Sequence, residues 1–144
     1  MYKIIPSILI LLTILVCNNI NAQSKSEEAK VIKILNGFYK EYCFTFCSKM
    51  ATDTDIAKLK LLRKKYFTKR LFMKFKNDIE MDSDPLIRVQ DCELDWCNSL
   101  KITKDKQKSN LYIVNFSNSH VVETIKLIVK KEKGVDKIYS IIGY

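Results

Sequence analysis

The chain has 144 residues, 47% of them hydrophobic, with 25 lysines and arginines against 16 acidic residues, one histidine, five cysteines and a net charge of +9. That length suits one buried core and excludes several domains. The lysines are spread through every segment, which argues for a solvated basic surface and against a nucleic-acid-binding arm.

Residues 1–22 read as a cleavable export signal. Lys3 supplies the positive end, and from Ile4 to Val16 every residue is apolar except Pro6, Ser7 and Thr13. Asn18-Asn19-Ile20-Asn21-Ala22 then ends on the small residue that a signal peptidase needs, so cleavage is expected after Ala22. The apolar run of 13 residues falls short of the roughly 20 that cross a bilayer core. Two readings compete. A buried N-terminal helix is opposed by Pro6 and by the abrupt change to Gln23-Ser24-Lys25-Ser26-Glu27-Glu28. Lipid anchoring at Cys17 is opposed by Val16, which stands where a lipobox has Gly, Ala or Ser. Removing the segment leaves a single domain, residues 23–144, with a net charge of +8 in a periplasmic or secreted location.

From Ser24 to about Met50, Val31, Leu35, Phe38, Tyr42 and Phe46 form the stripe of a long amphipathic helix, and Ser24 with Glu27 fits a capping box at its start. Asp53 or Thr54 opens a second helix carrying Ile56, Leu59, Leu62 and Tyr66. Thr68 caps a third, with Leu71, Phe72, Phe75 and Ile79 on one face. The aromatics among the lysines of 58–76 sit at helical spacing and read as core. Met81-Asp82-Ser83-Asp84-Pro85 breaks the helical pattern.

From about Leu94 the period changes to two. Leu100 and Ile102 are followed by Tyr112, Val114 and Phe116 alternating with Leu111 and Ile113, and then by Ile125, Leu127 and Val129. Last come Ile138 and Ile142 set against Val135, Tyr139 and Ile141. Polar breaks at Lys104 to Asn110, Ser117 to Ser119 and Lys131 to Gly134 separate four strands, and their shortness implies an antiparallel meander. The expected fold is α+β: three N-terminal helices, then a curved four-stranded antiparallel sheet wrapping the long first helix.

Cleavage removes Cys17 and leaves Cys43, Cys47, Cys92 and Cys97, an even number in an oxidising compartment. A Cys43–Cys47 pair is disfavoured, because side chains at i and i+4 run side by side on a helix. One or two bridges from the first helix to the region of Cys92 and Cys97 are expected, with the pairing open. A four-thiolate zinc site is the alternative, with spacings that depart from the usual two residues.

Phe38-Tyr39 with Tyr42, the run Leu62 to Leu71, Asp84-Pro85-Leu86-Ile87-Arg88-Val89-Gln90-Asp91 and the strand-rich end through Val135-Asp136-Lys137-Ile138 resemble a domain of unknown function found in exported proteins of gut-dwelling Gram-negative bacteria. Its most specific part is the Asp-Pro-x-x-x-x-Gln-Asp run. That family is similar to the nuclear transport factor two-like, or cystatin-like cone, superfamily, which hosts isomerases, dehydratases, binding proteins and immunity proteins, so the resemblance implies a fold and leaves the chemistry open.

Two readings of the motif follow. In one, Asp84, Gln90 and Asp91, with Tyr39, Tyr66 and Arg70, form a polar group at the cone mouth. In the other, the same polar groups satisfy backbone amides, Asp84 capping the turn that Pro85 starts. His120, the lone histidine, is expected on an exposed turn and supports neither a metal site nor a nucleophile dyad. Trp96 reads as core or disulfide cover, and the spacing of Asp82, Asp84 and Asp91 matches no calcium loop.

No complete catalytic constellation emerges. The leading expectation is a non-catalytic binding protein without cofactor or metal. Its partner would be a protein, such as a secreted toxin, or a small ligand in the cone, and nucleic acid and stable membrane insertion are not expected. The alternative is a small hydrolase, isomerase or dehydratase using Asp84 or Asp91 as general base. Cone-shaped sheets often pair through their open faces, so a homodimer is kept beside the monomer.

Overall fold

The computed structural model describes residues 5–48, 52–75, 84–88, 94–117 and 121–144, with side chains from residue 24 onward. Four helices are found among the described residues: α1 (Ile5–Phe46), α2 (Asp53–Tyr66), α3 (Lys69–Lys74) and α4 (Leu94–Asn98). Four strands follow: β1 (Lys101–Lys104), β2 (Leu111–Ser117), β3 (Val122–Glu132) and β4 (Val135–Ile141). They form one open antiparallel sheet in the order β1-β2-β3-β4, the meander that the short connections imply.

The expected stripe on α1 is buried: Val31, Leu35, Phe38 and Tyr42 lie in the core, joined by Tyr39, Cys43 and Cys47. Each such large apolar side chain contributes roughly 1.5–3 kcal/mol by leaving water. Opposite them lie Ile102, Tyr112, Val114, Phe116, Ile125, Leu127 and Val129, the inward residues of the first three strands. Tyr39 meets Phe116 edge-on at 5.7 Å, and Trp96 stacks on the same ring at 5.7 Å with the planes 7° apart. Ion pairs tie the helix to the sheet, Glu28 to Lys104 on β1 and Glu27 to Lys131 on β3.

The sequence reading needs correction in three places. The helix count is four, because Leu94–Asn98 makes a single short turn where a strand pattern was expected to begin; five residues are too few to show a period. The first helix does not start at Ser24. It runs continuously from Ile5, so Ser24 and Glu27 lie inside it; a capping pair marks a start only where the residues before it leave the helix.

The third correction is in β4, where Ile138 and Ile141 are buried and Ile142 is exposed. The register runs Leu127 with Ile141, Ile128 with Ser140, then Val129 with Ile138, so Tyr139 is an extra residue, a β-bulge that resets the alternation.

Caps and turns behave as their residues dictate. Thr52, one residue before the expected start, caps α2 through a reciprocal box with Asp55, and Thr68 caps α3 as expected. Lys133 and Gly134, both at positive φ, form the two-residue turn between β3 and β4 that matches the twist of a hairpin. The free edge of β4 is partly covered where the Thr68 amide donates to the Ile138 carbonyl at 2.9 Å. Among the described residues, no helix is long and apolar enough to cross a membrane.

Candidate binding site

Asp84 is the best-placed residue of the sequence motif, and its surroundings are those of a structural ion. The Arg63 guanidinium donates to Asp84 Oδ2 at 2.7 Å, and the Tyr42 hydroxyl donates to the same oxygen at 2.6 Å. Arg63 Nε donates to the Tyr42 oxygen at 2.8 Å and Nη1 to the Phe75 carbonyl at 3.1 Å. Arg63 is 1% exposed and Asp84 4%. One buried network thus joins α1, α2, the end of α3 and the Asp-Pro turn. A pair this deep survives because each partner offsets the other's desolvation.

The other Asp84 oxygen caps the turn. Oδ1 accepts the Leu86 amide at 2.7 Å, and the Asp84 carbonyl accepts the Ile87 and Arg88 amides at 3.1 and 2.7 Å. This is the structural reading of the motif. The turn ends with Arg88 at φ 61°, the left-handed region. From there the guanidinium reaches the carbonyls of Thr124 and Ile142, both at 3.1 Å, and stacks on Tyr144. Gly143, at φ +94°, leaves the room: a Cβ there would stand 3.3 Å from Arg88 Nη2.

Tyr39 lies close enough to Asp84 to feel its charge. Burial pushes the Tyr39 phenol well above its ordinary range and Asp84 adds to this, while Arg88 opposes it, so Tyr39 is no base at neutral pH. Its hydroxyl, Arg88 Nε and Trp96 Nε1 are buried donors without an acceptor among the described residues. Tyr66 and Arg70 do not join Asp84. Tyr66 packs on Phe38 at 5.0 Å under the Lys65 ammonium, and Arg70 turns to the bulge, donating to the Tyr139 hydroxyl at 2.6 Å. Gln90, Asp91, Cys92, Asp82 and His120 lie outside the described residues.

The cysteines converge as expected from the first helix. Cys43 and Cys97 form a disulfide with Cα atoms 5.7 Å apart, and Cys47 Sγ lies 3.7 Å from Cys43 Sγ and 3.4 Å from Cys97 Sγ. Two sulfurs bonded to each other have no thiolate to give a metal, which weighs against the zinc alternative in this form. A disulfide fits an exported protein.

Three of the clefts on the surface of the described residues bear on a site. A groove of about 530 Å³ between α1 and α2 is lined by Lys40, Glu41, Phe44 and Lys58, and a cleft of about 300 Å³ by Glu27, Glu28, Lys104, Tyr112, Lys131 and Asp136. Both hold their own ion pairs: Lys58 with Glu41, Lys104 with Glu28, and Lys131 with Glu27 and Asp136. The third, a recess of about 140 Å³, is lined by Arg70, Leu71, Lys74, Tyr139, Ser140 and Tyr144.

Arg63 is the residue that sequence reasoning missed. Its signal was present: it stands four residues after Leu59 and three before Tyr66, on the apolar stripe of α2, where a lysine-rich helix has no reason to place a charge without a buried partner.

Neither a family model nor a curated protein matches the chain. Among solved structures it is similar to a crystal structure of a protein of unknown function from Bacteroides thetaiotaomicron. The two share 26% sequence identity and a TM-score of 0.73, over 88% of this chain and 98% of that one.

Proposed function

We propose that this chain is an exported, non-catalytic binding protein, periplasmic or secreted after cleavage at Ala22, which engages a protein partner such as a toxin or a small ligand. In this reading it belongs with the exported domain-of-unknown-function family of the Asp-Pro-x-x-x-x-Gln-Asp motif, within the nuclear transport factor two-like superfamily. Its sheet curls around α1.

The observation that carries the proposal is the environment of Asp84. A general base needs a lone pair within reach of substrate. Asp84 instead gives one oxygen to Arg63 and Tyr42 and the other to the Leu86 amide, all inside the core. Tyr39, the candidate phenol that feels the Asp84 charge, is held protonated. The disulfide supports the exported setting.

The test is the fate of Asp84→Asn. It leaves Arg63 buried without its counter-ion and should lower stability by about 3–5 kcal/mol in denaturant unfolding, with Arg63→Met behaving alike. An Asp84→Asn protein within about 0.5 kcal/mol of the parent, having lost a metabolite conversion that the parent performs, would overturn the proposal and restore Asp84 as a base.

A further inference from the structure

We infer that the recess at the β4 bulge is the docking point for an acidic side chain of a protein partner, with Arg70 as the recognising residue; this rests on the binding reading above. The arginines point to it first. Only three of the 25 basic residues are arginines, at positions 63, 70 and 88. Where lysine is the default cation, a guanidinium marks a place that needs its planar fork. Arg63 and Arg88 spend theirs inside the protein, on three groups and on two carbonyls and a ring. Among the described residues Arg70 makes one hydrogen bond, to Tyr139, and is exposed, so most of its five N–H donors remain for an acceptor from outside.

The bulge is the second observation. The extra residue that interrupts the β3–β4 register is Tyr139 itself. Bulges re-aim side chains beside functional sites. Two cations act on this ring, the Arg70 guanidinium at 5.3 Å and the Lys130 ammonium at 3.8 Å from its centroid. The Tyr139 oxygen accepts from Arg70, which leaves its own O–H to donate. Ser140 and Lys74 add a hydroxyl and an ammonium to the lining. Arg70, Lys74 and Lys130 have no carboxylate partner among the described residues, whereas the two larger clefts contain their own ion pairs. The nearby Glu132 turns its carboxylate to the Lys69 amide at 3.2 Å.

Size decides the occupant. A recess of about 140 Å³ lies well below the roughly 300–1,000 Å³ of small-molecule sites, and it suits one inserted side chain. The chemistry asks for a carboxylate, which a guanidinium edge grips with two parallel hydrogen bonds, flanked by the apolar faces of Leu71 and Tyr144. An Asp or Glu at the centre of a partner's contact surface meets these terms.

The probe is an acetylated hexaglutamate peptide titrated into the isotope-labelled chain and followed by amide chemical shifts. Saturable shifts confined to Arg70, Leu71, Lys74, Tyr139, Ser140 and Tyr144 are expected. Affinity should fall at least about tenfold in Arg70→Lys, which keeps the charge and loses the fork, and further in Arg70→Glu, with Lys40→Glu on α1 as an unaffected control. Shifts spread over the lysine surface, equal affinity in both Arg70 variants, or no saturable shift at millimolar peptide overturns the assignment. So does binding to phosphatidylglycerol vesicles that is lost in Arg70→Glu while hexaglutamate is ignored. A cellular partner held equally well by the parent and Arg70→Glu sinks the recess and spares the binding reading; a parent that holds no partner sinks the binding reading itself.

Discussion

Tyr39 and Tyr42 stand three residues apart on α1, both buried, and the same forces act on each phenol. Burial raises both well above the ordinary value and the Asp84 charge raises them further, against Arg88 at Tyr39 and Arg63 at Tyr42. In the unfolded chain these phenols ionise near pH 10. Above that pH the unfolded state has released protons that the native state still holds, so stability is intact below about pH 10 and falls as pH rises toward the folded-state values. In an alkaline titration the phenolate absorbance of Tyr39 and Tyr42 should therefore appear only together with loss of the native circular dichroism. Tyr39→Phe and Tyr42→Phe should each remove one tyrosine's share of that late step; a step of unchanged size in both variants contradicts the buried network. Asp84 was legible as a turn former because it precedes Pro85. Its partners were not, since Tyr42 is 42 residues away and Arg63 21, and spacing along a chain says nothing of pairing at that range.

Elements with a period of several turns or strands could be read directly. The stripe on α1, the cap at Thr68 and the alternation in β2 and β3 follow from side-chain geometry within each element, and the start of α2 was read to within a residue of its Thr52 cap. Failures came where local rules were interrupted: α4 has one turn, Ser24 sits in an unbroken helix, and Tyr139 adds a residue to β4. The recess grows out of that last failure, since a bulge appears in sequence only as an alternation that does not quite hold. The cysteines were legible as a linkage between α1 and the region before the sheet, and unpaired until the fold placed them. Cys43–Cys97 ties residues 54 apart, so loop-closure entropy favours the bridged form by about 4 kcal/mol. Replacing both residues with alanine should lower the unfolding free energy by about 2–4 kcal/mol, and a loss under about 1 kcal/mol would show that the bridge does not constrain the unfolded chain.

For the whole molecule, helices first and strands afterwards was enough to establish an α+β layout with a meander, because every strand pairs with its neighbour in sequence and no crossover has to be guessed. The function was far less legible. A catalytic site announces itself through a set of residue types at fixed spacing, whereas the docking recess we propose is made of one arginine, one displaced tyrosine and a few ordinary neighbours. The clasp around Asp84 holds the fold from inside the core, and the cations around Tyr139 have no carboxylate partner among the described residues. Whether it works by binding is read most directly from the native mass spectrum of the chain isolated from the envelope fraction. The expected spectrum shows the mass of residues 23–144 together with one stoichiometric protein partner; repeated recovery of the chain alone, while the purified protein converts a metabolite, would contradict it.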